Sequence, residues 1–314
     1  MSNVNQYKKN IADSFYKAVP KPHGYELVVT SQSVQSVSGK ICVVFLGGPA
    51  PGGHNVVAGL YDGLVTYQPN LELIGARDGL ISLINEDFIQ LNINNITPYI
   101  DQGGFQLLGT CRYTLSDIAM DRIRDVCLSH KITTLVLIGG NGTHYISEKL
   151  CHRLKKDSIS VLVVPKTIDG DIRFEGGYPS FGVDSYVKSC VTMMQNVARD
   201  ILSTKKYYHI VRMMGRKSEY ASNAVAFHTR PNIYIPVPKQ PVSLMDICHQ
   251  INVKIQERQQ RGLEWGIVLL CEGITDMLTD FDELQKMILQ GNVTSNVIWR
   301  DLTCYERQFL KEKI

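Results

Sequence analysis

The segment Pro165-Lys166-Thr167-Ile168-Asp169-Gly170-Asp171 gathers an ammonium, a hydroxyl and two carboxylates at i and i+2 in one short stretch. Moving a phosphoryl group calls for such parts: a cation to offset phosphate charge, a carboxylate to take the acceptor's proton, and a second acid to hold a divalent ion or fix the loop. Surface turns also collect Asp and Gly. The segment gains weight from its position after a β-branched run at 159–164, which reads as a buried strand with the loop at its exit.

Two further strand exits are rich in glycine. Leu46-Gly47-Gly48-Pro49-Ala50-Pro51-Gly52-Gly53-His54-Asn55 leaves one strand and opens a helical stretch, and Gly139-Gly140-Asn141-Gly142-Thr143 does the same after 133–138. Such loops let backbone approach an anion while the helix N-terminus aims unpaired N–H groups at it. Neither is the dinucleotide fingerprint or a Walker loop. Two of them in one sheet point to a phosphate-lined crevice at the carboxyl ends of the strands. Arg216 in Arg212-Met213-Met214-Gly215-Arg216 suits a bidentate grip on a sugar phosphate, and Glu272 in Cys271-Glu272-Gly273 suits sugar hydroxyls, although lone strand-end charges more often form surface ion pairs. His54, His144, His209 and His228 have no partner at triad or metal spacing and read as structural.

These loops need a scaffold. Strands are expected at 40–46, 71–77, 133–138, 159–164, 207–213 and 265–270, with helices between them. The stretch 116–130 places Ala119, Ile123, Val126 and Cys127 on one stripe, as a crossover helix should. The pattern predicts an α/β fold of two Rossmann-like, doubly wound lobes, with polar, weakly patterned residues 1–36 as an N-terminal extension.

A net charge of +3, from 33 Lys+Arg against 30 Asp+Glu, is too balanced for a nucleic-acid partner. Eight scattered cysteines without CxxC pairs read as reduced thiols. The absence of a long apolar run predicts no signal peptide and no membrane partner, hence a cytoplasmic location.

In order along the chain, GGPAPGGHNVVAGL, GGFQLLG at 103–109, the glycine pair ending 138–140, PKTIDGDI, FGVDS at 181–185, STKKYYHIVRMMGR at 203–216 and CEG at 271–273 resemble the phosphofructokinase family. The similarity is greatest to its long, pyrophosphate-dependent branch, which phosphorylates fructose 6-phosphate. The resemblance implies the phosphofructokinase fold in a C-terminally incomplete form, with a phosphoryl-donor lobe at 37–180, a sugar-phosphate lobe at 181–275 and the start of a helical insertion at 276–314. It implies Asp169 as the base for the sugar's 1-hydroxyl, Asp171 assisting, and Lys166 on the phosphoryl group in flight. Gly47, Gly48, Gly140, Asn141 and Gly142 would line the donor phosphates. Thr167, Met214, Gly215, Arg216 and Glu272 would hold fructose 6-phosphate, with Lys206 and Tyr207 reaching toward a partner subunit's site in a homo- or hetero-oligomer.

Mg²⁺ is the implied cofactor, and Asn141 stands where the family has a metal-serving Asp. Gly142 replaces the second Asp of the pyrophosphate branch and matches ATP users, whereas Lys166 matches pyrophosphate users. The alternatives to a pyrophosphate-dependent phosphotransferase are a non-catalytic or regulatory subunit or fragment, and an ATP-dependent 6-phosphofructokinase.

Overall fold

Seven residues rich in branched apolar side chains, Gly39–Phe45, form strand β1 at the centre of the larger sheet. The computed structural model describes residues 38–172, 180–215 and 218–280. Along β1 the side chains alternate between two cores. Cys42, Val44 and Leu46 pack on one face of the sheet, and Val43 and Phe45 on the other. Full burial of each large side chain stabilises the fold by about 1.5–3 kcal/mol relative to leaving it exposed, which is why such two-sided strands sit at sheet centres.

From β1 the chain runs through helix α1 (Gly53–Tyr67) to β2 (Leu71–Ala76), then α2 (Leu80–Ile84), the short β3 (Phe88–Gln90) and α3 (Ile93–Ile96). Helix α4 (Asp117–Ser129) returns it to β4 (Ile132–Gly139) on the opposite side of β1, followed by α5 (Asn141–Leu154), β5 (Ser160–Thr167) and β6 (Phe181–Gly182). The order is β3-β2-β1-β4-β5-β6, parallel except for β3, which runs antiparallel to β2. The winding therefore reverses between β1 and β4, and a crevice opens there at the carboxyl ends of the strands.

A second, wholly parallel sheet follows α6 (Val183–Thr204): β7 (Tyr208–Met213), α7 (Tyr220–Thr229), β8 (Ile233–Ile235), α8 (Leu244–Gln259) and β9 (Gly266–Cys271), ordered β7-β9-β8. Ile267 and Leu269 of β9 face the core shared with α6 and α7, and Val268 faces the core shared with α8. Exposed apolar side chains lie on β5, next to the short edge strand β6, and on the edge strand β7: Leu162 is exposed at 54% and Ile210 at 64%.

All six expected strands form, with ends within about three residues of the reading. Strands β3, β6 and β8 are additions. The stripe Ala119, Ile123, Val126 and Cys127 is buried on α4, whose N-terminus is capped by Ser116. Residues 1–36, Arg216 and the part of the expected helical insertion beyond 280 lie outside the described residues. Among the described residues no helix is long and apolar enough to cross a membrane.

Candidate phosphate-binding crevice

Strand β5 does not stop at Val164. It continues through Lys166 and Thr167, which pair with Phe181 and Gly182 of β6. Both residues therefore sit on the strand end and not in the loop expected from sequence. The cause is a pairing partner distant in sequence. Rigid strand placement buries the Lys166 side chain to 7% exposure and Thr167 to 6%.

Thr167 organises the turn at 168–171. Its Oγ1 accepts the backbone N–H of Asp169 at 3.0 Å and donates to Asp171 Oδ1 at 2.8 Å, tying both carboxylate residues to the strand end. Gly170 between them has φ +71°, and a Cβ there would meet the Tyr220 ring at 2.7 Å. A side chain would thus suffer both the left-handed backbone and a collision. That close approach seats the loop against α7, so the two lobes meet at the Asp169 turn.

Burial is the largest influence on Lys166 and holds its ammonium below the usual lysine range, opposed by the nearby charges of Asp169 and Asp171 and reinforced by Arg112. Arg112 was not among the residues expected from sequence. It lies just beyond the GGFQLLG segment, and that proximity is the signal that could have found it.

The glycine loops converge on this ensemble. Leu46 N–H donates to Ile138 O at 2.9 Å, and Gly47 is held by its own N–H to Cys111 O and by Thr110 Oγ1 to its carbonyl. Helices α1, α5 and α6 begin at Gly52, Gly140 and Gly182, and none of these caps has a side chain on the first-turn N–H groups. By contrast, α4 and α8 are capped by Ser116 and Ser243. A helix start left without a side-chain cap keeps its N–H groups available to an anion. A Cβ added at Gly48 or Gly142 would find nothing within 4 Å, so both face open space, while one at Gly140 would lie 4.0 Å from Lys166 Nζ.

His54 and Asn55 do not face a ligand. His54 is buried, its Nδ1–H donating to Gln102 O at 3.1 Å and its Nε2 accepting from Leu107 N–H at 3.3 Å. Asn55 exchanges two hydrogen bonds with Asp101. Both fasten the 99–107 loop to α1.

On the second lobe, successive N–H groups at the exit of β7 are captured by side chains from two other elements. Met214 N–H donates to Tyr186 Oη at 2.9 Å, and Gly215 N–H to Glu272 Oε2 at 2.8 Å. Tyr186, on α6, is a second residue that sequence reasoning missed, though it comes directly after FGVDS. Burial and nearby Cys190 raise its phenol above the usual range, with a further contribution from Asp169. Met214 is exposed. Lys206 and Tyr207 lie at the other end of β7, mutually stacked with Lys206 Nζ 5.7 Å from the ring centroid. A strand of that length is roughly 20 Å long, so they cannot join Met214 and Gly215 around one small ligand within a single chain.

A cavity of about 250 Å³ between α4 and α5 is lined by Asp121, Arg124, His152, Arg153, Lys156 and Asp157. Its Arg124 is already committed to Asp157 and Arg153 to Asp121, and it lies at the end of α5 remote from Gly140, so the chemistry belongs to the crevice.

Residues 40–303 match the family described as Phosphofructokinase. The chain belongs to the phosphofructokinase family. Pyrophosphate–fructose 6-phosphate 1-phosphotransferase of Treponema pallidum (strain Nichols) is 32% identical over 287 residues, covering 90% of this chain and 48% of that protein. Subunit beta 2 of the Arabidopsis thaliana protein of the same name is also 32% identical over 287 residues, covering 87% and 50%. The chain thus spans about half the length of these curated relatives. Among solved structures, the pyrophosphate-dependent phosphofructokinase of Nitrosospira multiformis superposes with a TM-score of 0.64 at 18% identity, over 81% of this chain and 67% of that one. The phosphofructokinase of Saccharomyces cerevisiae gives 0.64 at 16%, over 81% and 36%. These likenesses establish the phosphofructokinase fold.

Phosphofructokinase-family enzymes generally use Mg²⁺. Beside Asn141 the residues do not fit a divalent ion held by the protein. Asn141 Nδ2–H donates to Asp171 Oδ2 at 2.7 Å, and the other oxygen of that carboxylate takes the Thr167 hydroxyl. Among the described residues no group of three or more His, Cys, Asp and Glu is arranged to hold a metal.

Proposed function

We propose that the chain carries the donor and acceptor crevice of a phosphotransferase moving a phosphoryl group from pyrophosphate to the 1-hydroxyl of fructose 6-phosphate, giving fructose 1,6-bisphosphate. The observation that carries this reading is the juxtaposition of buried Lys166 with the Asp169 turn beside helix starts that no side chain caps. The relatives' names carry the same donor and acceptor.

In this reading residues 37–180 hold pyrophosphate and residues 181–275 the sugar phosphate, with 276–314 opening a helical insertion. The backbone N–H of Gly48 and those at Gly140–Gly142 receive the non-bridging phosphate oxygens, while Gly47, whose N–H is taken by Cys111 O, shapes the loop and does not donate to phosphate. Asp169 accepts the proton of the 1-hydroxyl as that oxygen bonds to phosphorus, the bridging P–O bond breaks, and inorganic phosphate leaves. Lys166 offsets the charge on the group in flight, while Thr167 and Asp171 fix the direction of Asp169. Met214, Gly215, Arg216 and Glu272 receive the sugar phosphate. Lys206 and Tyr207 serve the site of a neighbouring subunit, which makes the working form an oligomer in the cytoplasm, engaged in glycolysis.

One observation favours a second donor: the open space at Gly142 leaves room for the larger ATP. An assay of fructose 1,6-bisphosphate formation with each donor tests both readings. Turnover with pyrophosphate is expected. A folded protein that turns over with ATP alone, or with neither donor, would overturn the primary reading.

A further inference from the structure

Any metal in a diphosphate site must be held by oxygen lone pairs converging on one point, and Mg²⁺ demands near-octahedral oxygens at about 2.0–2.1 Å. At the start of α5 the opposite arrangement is present. The Asn141 amide N–H, a donor with partial positive charge, points at Asp171 Oδ2 from 2.7 Å, and the Thr167 O–H points at Oδ1 from 2.8 Å. Each oxygen of the one carboxylate beside Asn141 thus already accepts a donor from a neighbouring element. Asn141 also brings no charge of its own. Among the described residues the charges that act on Lys166 are those of Asp169, Asp171 and Arg112, so there two cations stand against two carboxylates. A third carboxylate at 141 would tip that balance toward repelling an incoming polyanion.

We propose that this crevice binds pyrophosphate without a protein-held divalent cation, the Asn141 amide clasped to Asp171 taking the place of the metal. This rests on the reading of the crevice as a donor-phosphate site. Neutralisation of the anion then falls to Lys166, Arg112 and the N–H groups at the starts of α1 and α5. The clasp performs part of a metal's structural task as well, since it anchors the Asp169 turn to α5 across the mouth of the crevice. A carboxylate at 141 would reverse these roles by facing Asp171 with like charge, so that a cation between them becomes necessary.

The test is a calorimetric titration of the full chain with pyrophosphate, once in excess EDTA and once in excess Mg²⁺, with an electron paramagnetic resonance titration of Mn²⁺ alone. The natural chain is expected to bind pyrophosphate in EDTA within about threefold of its affinity in Mg²⁺, corrected for complexation in solution, and to leave the free Mn²⁺ signal unchanged. Asn141→Asp is expected to weaken binding in EDTA by about tenfold or more, to recover it on adding Mg²⁺, and to deplete free Mn²⁺. Binding by the natural chain only when Mg²⁺ is present, or depletion of Mn²⁺ by it, overturns the inference and leaves the donor reading intact. Failure of Asn141→Asp to bind Mn²⁺ overturns the assignment of the amide to the metal's place. Absence of pyrophosphate binding in either medium overturns the donor reading itself.

Discussion

Thr167 Oγ1 lies 2.8 Å from Asp171 Oδ1 while accepting the N–H of Asp169, so a single buried hydroxyl sets the geometry of both carboxylate residues. Thr167→Val keeps the shape and removes both bonds. Leaving a backbone donor and a carboxylate without that partner costs about 1–3 kcal/mol. Turnover is expected to fall roughly ten- to a hundredfold with little change in overall fold, because the base is misaimed and not deleted. Thr167→Ser is expected to restore most of it. Steady-state kinetics of the pair, alongside circular dichroism, checks this.

Lys166 makes a pH-dependent contribution whose sign follows from burial. Its ammonium is held below the usual lysine value of 10.5, so the cation present at neutral pH is lost as pH rises through that lowered value. Turnover should therefore have an alkaline limb set by Lys166. Lys166→Arg, which stays charged, should remove that limb even at a lower plateau, and Lys166→Met should depress turnover at every pH. A pH–rate profile of the three proteins decides it.

Acid should destabilise the fold through His54 and His144. Burial is the main cause holding both imidazoles below 6.5, and backbone hydrogen bonds to His54 oppose it only in part. The unfolded chain then binds protons that the folded one refuses, so stability is full above about pH 6.5 and is lost as pH falls through the lowered values. Protonating His54 also abolishes its acceptance of the Leu107 N–H. Urea midpoints are expected to drop between about pH 7.5 and 5.5, and His54→Gln should reduce that dependence while lowering stability at the upper end of that range.

Gly142 is where donor choice can be altered with little structural disturbance. A Cβ there meets nothing within 4 Å, and the residue lies in the first turn of α5, where a carboxylate interacts favourably with the helix dipole by about 0.3–1 kcal/mol. Gly142→Asp is expected to keep or raise the melting temperature and to abolish ATP competition against pyrophosphate. Unchanged ATP competition would remove Gly142 from the donor site.

Much of the fold and of the crevice is legible in the sequence because the informative segments are local. The strands 40–46 and 133–138 declare themselves as apolar runs, and the glycines after them mark strand exits whichever way the chain then turns. Strands β3, β6 and β8, of two or three residues, exist only through their pairing partners and leave no periodicity to read. The same cause makes Lys166 and Thr167 read as loop residues, since β6 extends β5 across a long separation in sequence. Arg112 and Tyr186 are marked in the sequence only by lying just beyond GGFQLLG and FGVDS, for a related reason. Their importance arises from proximity to Lys166 and Met214, which only the folded chain creates. Lys206 and Tyr207, which the resemblance places toward a partner subunit's site, lie at the opposite end of β7 from Met214 and Gly215.

The most direct test of the central claim is the Asp169→Asn protein, an isosteric change at the proposed base. Its rate of fructose 1,6-bisphosphate formation from pyrophosphate should be compared with its affinity for fructose 6-phosphate. A loss of about a hundredfold or more in turnover is expected, with sugar-phosphate affinity retained within a few fold. Turnover equal to that of the natural chain would contradict it.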